Sequence, residues 1–417
     1  MPNIIPFKSL MFNIKYREKL SKLVCPPYDT LSTDDYKEYY NLNKNNIIRL
    51  EYPFSDNFDE VSNLLLKYRE NSILIKDNKP SIYLCEKKFK ENSRNLTIKS
   101  LICLVKLSPD DQKLILPHER TISAVEDRRF KLLEHTMCQF TPILSLYKGK
   151  NNVINRLYMD MDREPLIDFN DKLDIKYRIW NIDNLEIIKN VIHDLKNEKL
   201  YIADGHHRYS IALRLKNSYP LINGTHYALM ELIDTSNEEI VIFPTHRIIK
   251  NLNSFNQNAF NQEEFIMKCK QYFDIIKIKR EMIEPMMRKY NENNTFVLVN
   301  GDNLYLLVLR NNEIMRKILP NNSDQYLNLD TTVLHKLIFE HIIKTDGLEN
   351  LEIEYSRDIE EAINSKKIYG KDSISFILNP TKLSQIYKTA DSGETMIQKS
   401  TYFYPKFDAG LIMYEVK

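Results

Sequence analysis

The sequence predicts a mixed α/β (α+β) chain with a small strand–turn–helix module embedded in a larger body, and three observations carry that reading. Leu200-Tyr201-Ile202-Ala203 is an apolar run of strand length, while beyond Gly205 the residues Tyr209, Ala212 and Leu213 recur at the i, i+3, i+4 spacing of a helix. Between them stands Asp204-Gly205-His206-His207-Arg208, which places an acid, a flexible turn residue and three potential cations in five positions. Strand-like and helical segments then follow one another along the whole of the 417-residue chain.

Taken in order, residues 1–95 read as an N-terminal α/β segment, with a helix near Val61–Arg69 and a rigid turn at Cys25-Pro26-Pro27-Tyr28-Asp29. Residues 96–250 read as the core. A strand at Ser100–Leu107 leads through Pro117-His118-Glu119-Arg120-Thr121 to a charged helix at Val125–Met137 and a strand at Pro142–Tyr147. A polar stretch runs to Tyr177. Asn184–Leu195 is an amphipathic helix with Leu185, Ile188, Ile192 and Leu195 on one face, and it delivers the chain to Tyr201. Tyr227–Leu232 and Ile240–Phe243 are strands, followed by Pro244-Thr245-His246-Arg247. Residues 251–417 form a C-terminal α+β segment with strands at Thr295–Asn300 and Leu304–Leu309 and a helix carrying Leu334, Leu337 and Ile338. Then come a strand at Ile374–Leu378, a helix opened by Asn379-Pro380, Gly393 at its end, and Lys399–Lys406 packing back on the core.

Composition bounds the function. Hydrophobic residues are 43% of the chain, and 59 Lys+Arg nearly balance 57 Asp+Glu for a net charge of +2. No global field draws in nucleic acid or an anionic membrane, so an anion site has to be local. No apolar run reaches membrane-spanning length, and Met1–Phe7 lacks the organisation of a signal peptide, so a cytoplasmic protein is expected. The five cysteines are isolated and odd in number, which suits a reducing compartment and excludes a CxxC motif. Only eight glycines occur, the nearest two being Gly393 and Gly410, 17 positions apart. That spacing excludes both a P-loop and a GxGxxG fingerprint, each of which needs closely set glycines.

The Asp204–Arg208 motif points to an anion site. A helix N-terminus presents backbone N–H groups and the positive end of its dipole, so a phosphate placed there is already partly solvated. Asp204 is placed to cap the helix, and Gly205, His206, His207 and Arg208 to hold the anion. Asp-Gly also suits a hairpin turn, but the helical spacing downstream favours strand–turn–helix. A second constellation is Pro117-His118-Glu119-Arg120-Thr121, where a carboxylate between two cations can serve as general base on a hydroxyl; the alternative is a solvated surface loop. Lys399, Ser400 and Thr401 offer an ammonium and two hydroxyls to a phosphate or, equally, a polar strand edge, and His246-Arg247 is a weaker signal of the same kind. The histidines lack HxxxH or HExxH spacing, so no dedicated metal site is expected.

Ile4-Ile5-Pro6-Phe7, Cys25–Asp29, Pro117–Thr121, Tyr201–Tyr209 and Lys399–Lys406, in this order and spacing, resemble the domain-of-unknown-function 1015 family. The chain departs from the family's Met-Pro-Pro-Lys at Ile397 and Gln398. The resemblance implies a ParB/sulfiredoxin-like nucleotide-binding module over about residues 112–216. Its strand–turn–helix motif reads DGHHR here, as in the free serine kinases of that fold. By the same resemblance Glu119 is the catalytic carboxylate, with His118 and Asp204 as the other candidate bases. Gly205, His206, His207, Arg208, Thr121, Lys399, Ser400 and Thr401 would bind the nucleotide. The implied function is a kinase of serine metabolism, using ATP or ADP with Mg²⁺ on a small hydroxylated metabolite, free L-serine foremost, or running in reverse on phosphoserine. The alternatives are a non-catalytic nucleotide-binding regulator and a ParB-like nucleotide-gated DNA-binding protein; the latter needs a helix-turn-helix and a basic face that the chain does not display. Nucleotide and metabolite are the expected partners, a homodimer is left open, and neither membrane nor nucleic acid is expected.

Overall fold

The structure, a computed structural model, describes residues 3–107, 114–119, 123–236, 240–250, 261–343 and 351–416. The chain divides into two compact units. Residues 1–117, 121–241 and 403–417 form the first, and residues 118–120 with 242–402 form the second.

The first unit is built on a nine-stranded sheet. Its strands are β1 (Ile4–Ile5), β2 (Ile82–Glu91), β3 (Arg94–Lys106), β4 (Ile115–Pro117), β5 (Ile143–Tyr147), β6 (Ile167–Asn170), β7 (Lys176–Ile182), β8 (Leu200–Asp204) and β9 (Tyr227–Asp234). They lie in the order β4-β8-β5-β9-β3-β2-β7-β6, with β1 pairing β3 at its end. β4 runs parallel to β8 and β5 parallel to β9, whereas β8 and β5 are antiparallel, so the sheet is mixed. β2 and β3 join through Asn92 and Ser93, both at positive φ (48° and 62°), the backbone that a two-residue hairpin requires for its twist.

The unit also holds helices α1 (Phe58–Glu70), α2 (Ser123–Thr136), α3 (Val153–Met159), α4 (Leu185–Leu195) and α5 (His206–Ser218), with α2 packed between α1 and α5. Leu84, Leu101, Cys103, Val105, Ile143, Ile202, Ala228 and Met230 form one apolar face. Ile154 and Leu157 of α3, Ile188 and Val191 of α4, and Tyr209 and Ala212 of α5 close over it. The polar stretch expected up to Tyr177 in fact holds α3, β6 and the start of β7: Ile167 and Phe169 are buried in alternation with exposed Asp168 and Asn170, a pattern too short to stand out in sequence. A buried ion pair crosses the sheet. Lys87 Nζ lies 2.7 Å from Glu231 Oε1, each side chain is 1% exposed, and Ser100 Oγ donates to the same oxygen at 2.7 Å.

The second unit carries a six-stranded sheet of β10 (His246–Ile249), β11 (Phe273–Ile278), β12 (Thr295–Asn300), β13 (Asn303–Leu309), β14 (Ile353–Ser356) and β15 (Ile374–Leu378). The order is β11-β13-β12-β15-β10-β14, and all pairings are antiparallel. The inner strands β10, β12 and β15 are buried on both faces, which explains why β12 and β15 read as apolar runs. Phe296, Leu298, Leu307 and Phe376 meet α6 (Val333–Ile343), which winds as a π-helix, while Val297, Val299, Leu306 and Ile377 pack on the opposite side. Helix α7 (Leu383–Asp391) follows β15. It starts three residues later than Asn379-Pro380 suggested, because Thr381 Oγ1 donates to Ser400 O at 2.7 Å and Lys382 becomes the cap, its N–H donating to Gln385 Oε1 at 2.9 Å. All five cysteines are reduced and buried. No helix among the described residues is long and apolar enough to cross a membrane.

Candidate functional site

The Asp204–Arg208 motif stands at the carboxyl end of β8, between β4 and β5. Ligand sites of open α/β sheets favour that edge. β8 is buried from Leu200 to Ala203, and Gly205 turns the chain into α5 with φ 88° and ψ 32°. Only glycine takes this left-handed conformation without strain. A β-carbon here would also stand 2.8 Å from Arg208 Nε, because the guanidinium folds back over the turn. The register of β8 against β5 shifts between Ile202 and Asp204, and the strand ends with Asp204 opposite Leu144.

Asp204 is not the helix cap. Gly205 occupies that position and the helix has no side-chain cap; Asp204 instead accepts from Arg208 Nη2 at 2.5 Å through one oxygen and from Lys406 Nζ through the other. Two charged donors outcompete a backbone N–H for a carboxylate. Burial alone would push this carboxyl up, yet Lys406 and Arg208 together outweigh it and hold it below the usual carboxylate range. Arg208 also donates to Pro142 O. Burial works against its charge, but Asp204, Asp29 and Glu51 more than restore it. Lys406 was quoted in the sequence only as the end of a motif. Its backbone is fixed where Tyr177 Oη donates to Lys406 O at 2.8 Å, so the tyrosine of a distant strand aims the ammonium. His206 is buried at the first position of α5, and His207 Nδ1 lies 3.9 Å from Glu126 Oε1.

The remaining predicted residues belong to the second unit, apart from Thr121, which lies outside the described residues. His118 is fully buried, with Nε2 3.2 Å from Thr401 Oγ1, and its carbonyl accepts from Met396 N at 2.6 Å. Glu119 is half-buried and forms a parallel bridge with Met396. Lys399 sits at φ 58°, a left-handed conformation unusual for lysine. The Ser400 hydroxyl is turned inward: it donates to Ile397 O at 2.5 Å and lies 3.0 Å from Thr331 Oγ1, with the residue 4% exposed. Arg247, weak in the sequence, is fully buried beside this segment and donates from Nη2 to Lys399 O at 2.9 Å.

Residues 4–332 match the model of a family described as a protein of unknown function, DUF1015. The chain belongs to the DUF1015 family. Among solved structures this DUF1015 chain is similar to a free serine kinase in complex with AMP, at 14% identity and a TM-score of 0.40, covering 76% of this chain and 91% of that one. It is similar also to a conserved hypothetical protein from Pyrococcus furiosus (15% identity, TM-score 0.38, 74% and 95% covered). SbnI with a C-terminal truncation, from Staphylococcus aureus, is a third (11% identity, TM-score 0.39, 75% and 87% covered). No curated protein matches the DUF1015 chain.

Proposed function

We propose that this chain is a cytoplasmic nucleotide-dependent phosphotransferase acting on a small hydroxylated metabolite, with free L-serine as the first candidate and phosphoserine as the substrate of the reverse reaction. The observation that supports this reading is the turn at Gly205. It opens a helix that no side chain caps, at the carboxyl end of β8, inside a DGHHR motif. The N–H groups of such a first turn have no acceptor within the helix and suit phosphate oxygens.

The roles follow from the residues. The Gly205–Arg208 backbone and the His206, His207 and Arg208 side chains would hold the nucleotide phosphates, competing with Asp204 for Arg208, and Lys399, Ser400 and Thr401 are further candidates for that contact. ATP or ADP is the nucleotide class, and Mg²⁺ carried with it supplies charge neutralisation. Glu119 would orient the acceptor hydroxyl and take its proton as that oxygen bonds to the terminal phosphorus and the bond to the departing nucleotide breaks. Phosphoryl transfer asks mainly for positioning and charge compensation, which this residue set can supply. Within the first unit Pro117, the last residue of β4, lies opposite Ile202 in the parallel pair β4–β8.

Glu119→Gln tests the assignment. Wild-type and variant protein are incubated with labelled nucleotide and a mixture of hydroxylated metabolites, and phosphorylated products are read by mass spectrometry. Transfer is expected to fall by about two to four orders of magnitude with nucleotide affinity little changed. Equal product from both proteins removes Glu119 from the mechanism, and no product from either leaves a binding protein.

A further inference from the structure

Among the described residues Arg247 is the largest side chain buried to completion, and nothing in the proposed roles uses it. It lies within the second sheet on β10, opposite Tyr355 of β14 and Phe376 of β15. Its guanidinium donates from Nη1 to Thr245 O at 2.5 Å and from Nη2 to Lys399 O at 2.9 Å and Gln398 O at 3.4 Å. Nε donates to His335 Nε2 at 3.3 Å, and the Tyr355 ring lies 4.7 Å away. Among the described residues, none of these bonds ends on a carboxylate. Burying a guanidinium among neutral acceptors with no carboxylate in its hydrogen-bond set is costly, so its presence asks for a reason.

The reason is what the carbonyls belong to. Residues 396–401 are stapled to the His118–Glu119 segment by Met396 N to His118 O, by the Glu119–Met396 bridge and by the His118–Thr401 contact. Lys399 holds its left-handed backbone in the middle of that stretch, where the Arg247 clamp grips its carbonyl. We propose that Arg247 is the positioning residue of the Glu119 segment, clamping residues 398–399 so that the Glu119 carboxylate is held in place opposite a fixed buried cation. This rests on the reading of Glu119 as the base.

Electrostatics agree with the geometry. Burial pulls the Arg247 guanidinium down to about 10, against the lift from Tyr355 and Glu119, so the field of Glu119 reaches it and the guanidinium keeps its charge at neutral pH. The other ionisable groups around Arg247 are His246 on its own strand, His335 and Lys336 on α6, Tyr355 on β14, Lys399 on the clamped segment, and Asp358, whose field reaches His246. Burial, with a smaller part from the Arg247 charge, pulls His246 down to about 4 and His335 well below the usual histidine range, so both are neutral at pH 7. Loss of the Arg247 charge removes stabilisation from the Glu119 anion and also relieves the depression of His246 and His335, which is why the Glu119 signal itself is read.

The test uses the full chain labelled with carboxyl-¹³C glutamate, the Glu119 signal being assigned by its absence in Glu119→Gln. In Arg247→Met the Glu119 titration should move up by about one pH unit, the scale of losing one nearby opposite charge. The acidic limb of kcat should follow, with the nucleotide KM unchanged. Arg247→Lys keeps the charge but not the three-point clamp, so the Glu119 midpoint should hold while amide exchange at Lys399–Thr401 quickens. An unmoved midpoint in Arg247→Met overturns the proposal. Should that variant fail to fold, unchanged exchange in Arg247→Lys overturns it instead. Absence of any phosphoryl transfer would sink the proposed activity alone, since neither titration nor exchange depends on turnover.

Discussion

Asp204 accepts a 2.5 Å hydrogen bond from Arg208, one helical turn further along, while its other oxygen is taken by Lys406. With the Asp204 side chain 13% exposed, this acid is a junction between two cations and is poorly suited to receive a proton.

That junction predicts an acid-dependent stability. The folded carboxyl lies below its unfolded value near 3.9, so its contribution is complete above that value and is lost as pH falls toward the folded one. Asp204→Asn should cost roughly 3–5 kcal/mol at pH 7, the scale of breaking a buried pair. Thermal unfolding should then show the gap to wild type narrowing below about pH 4. A gap independent of pH would mean that Asp204 is not held ionised.

Gly205→Ala should be costly twice over. The positive φ adds about 1–2 kcal/mol, and the new methyl displaces the Arg208 guanidinium. Nucleotide with Mg²⁺ should raise the melting temperature of wild type by mass action, and both Gly205→Ala and Arg208→Ala should lose most of that shift. Equal shifts in all three would place the nucleotide elsewhere.

Ser400→Ala should act first on stability. The variant removes a donor to Ile397 O and a partner of Thr331 in a buried site, for a loss of about 1–3 kcal/mol in denaturant titration. Unchanged stability would show that the inward rotamer is dispensable.

The Lys87–Glu231 pair predicts non-additivity. Lys87→Met strands a buried carboxylate and should cost about 3–5 kcal/mol, whereas Lys87→Met combined with Glu231→Leu should recover most of it. Additive costs in the double-mutant cycle would show that the two charges act independently.

The turn at Gly205 was legible because its signals are local: an apolar strand, a glycine and a helical period within a dozen residues. The fate of Asp204 was not, since the partner that draws it from the cap is Lys406, 202 residues away. The same limit kept the signal of Arg247 weak, since its meaning depends on carbonyls at Gln398 and Lys399 that carry no side-chain signature. β6 escaped notice for a different reason. Four residues with two buried positions fall below the length at which alternation can be told from chance.

The burial of every thiol makes the folded chain silent toward thiol reagents, so alkylation counts openings rather than surface. Cys25, Cys85, Cys103 and Cys138 report on the first unit and Cys269 on the second. One pulse of reagent followed by peptide mass spectrometry would therefore time the two units separately within a single unlabelled sample, and would reveal which of them a bound nucleotide slows.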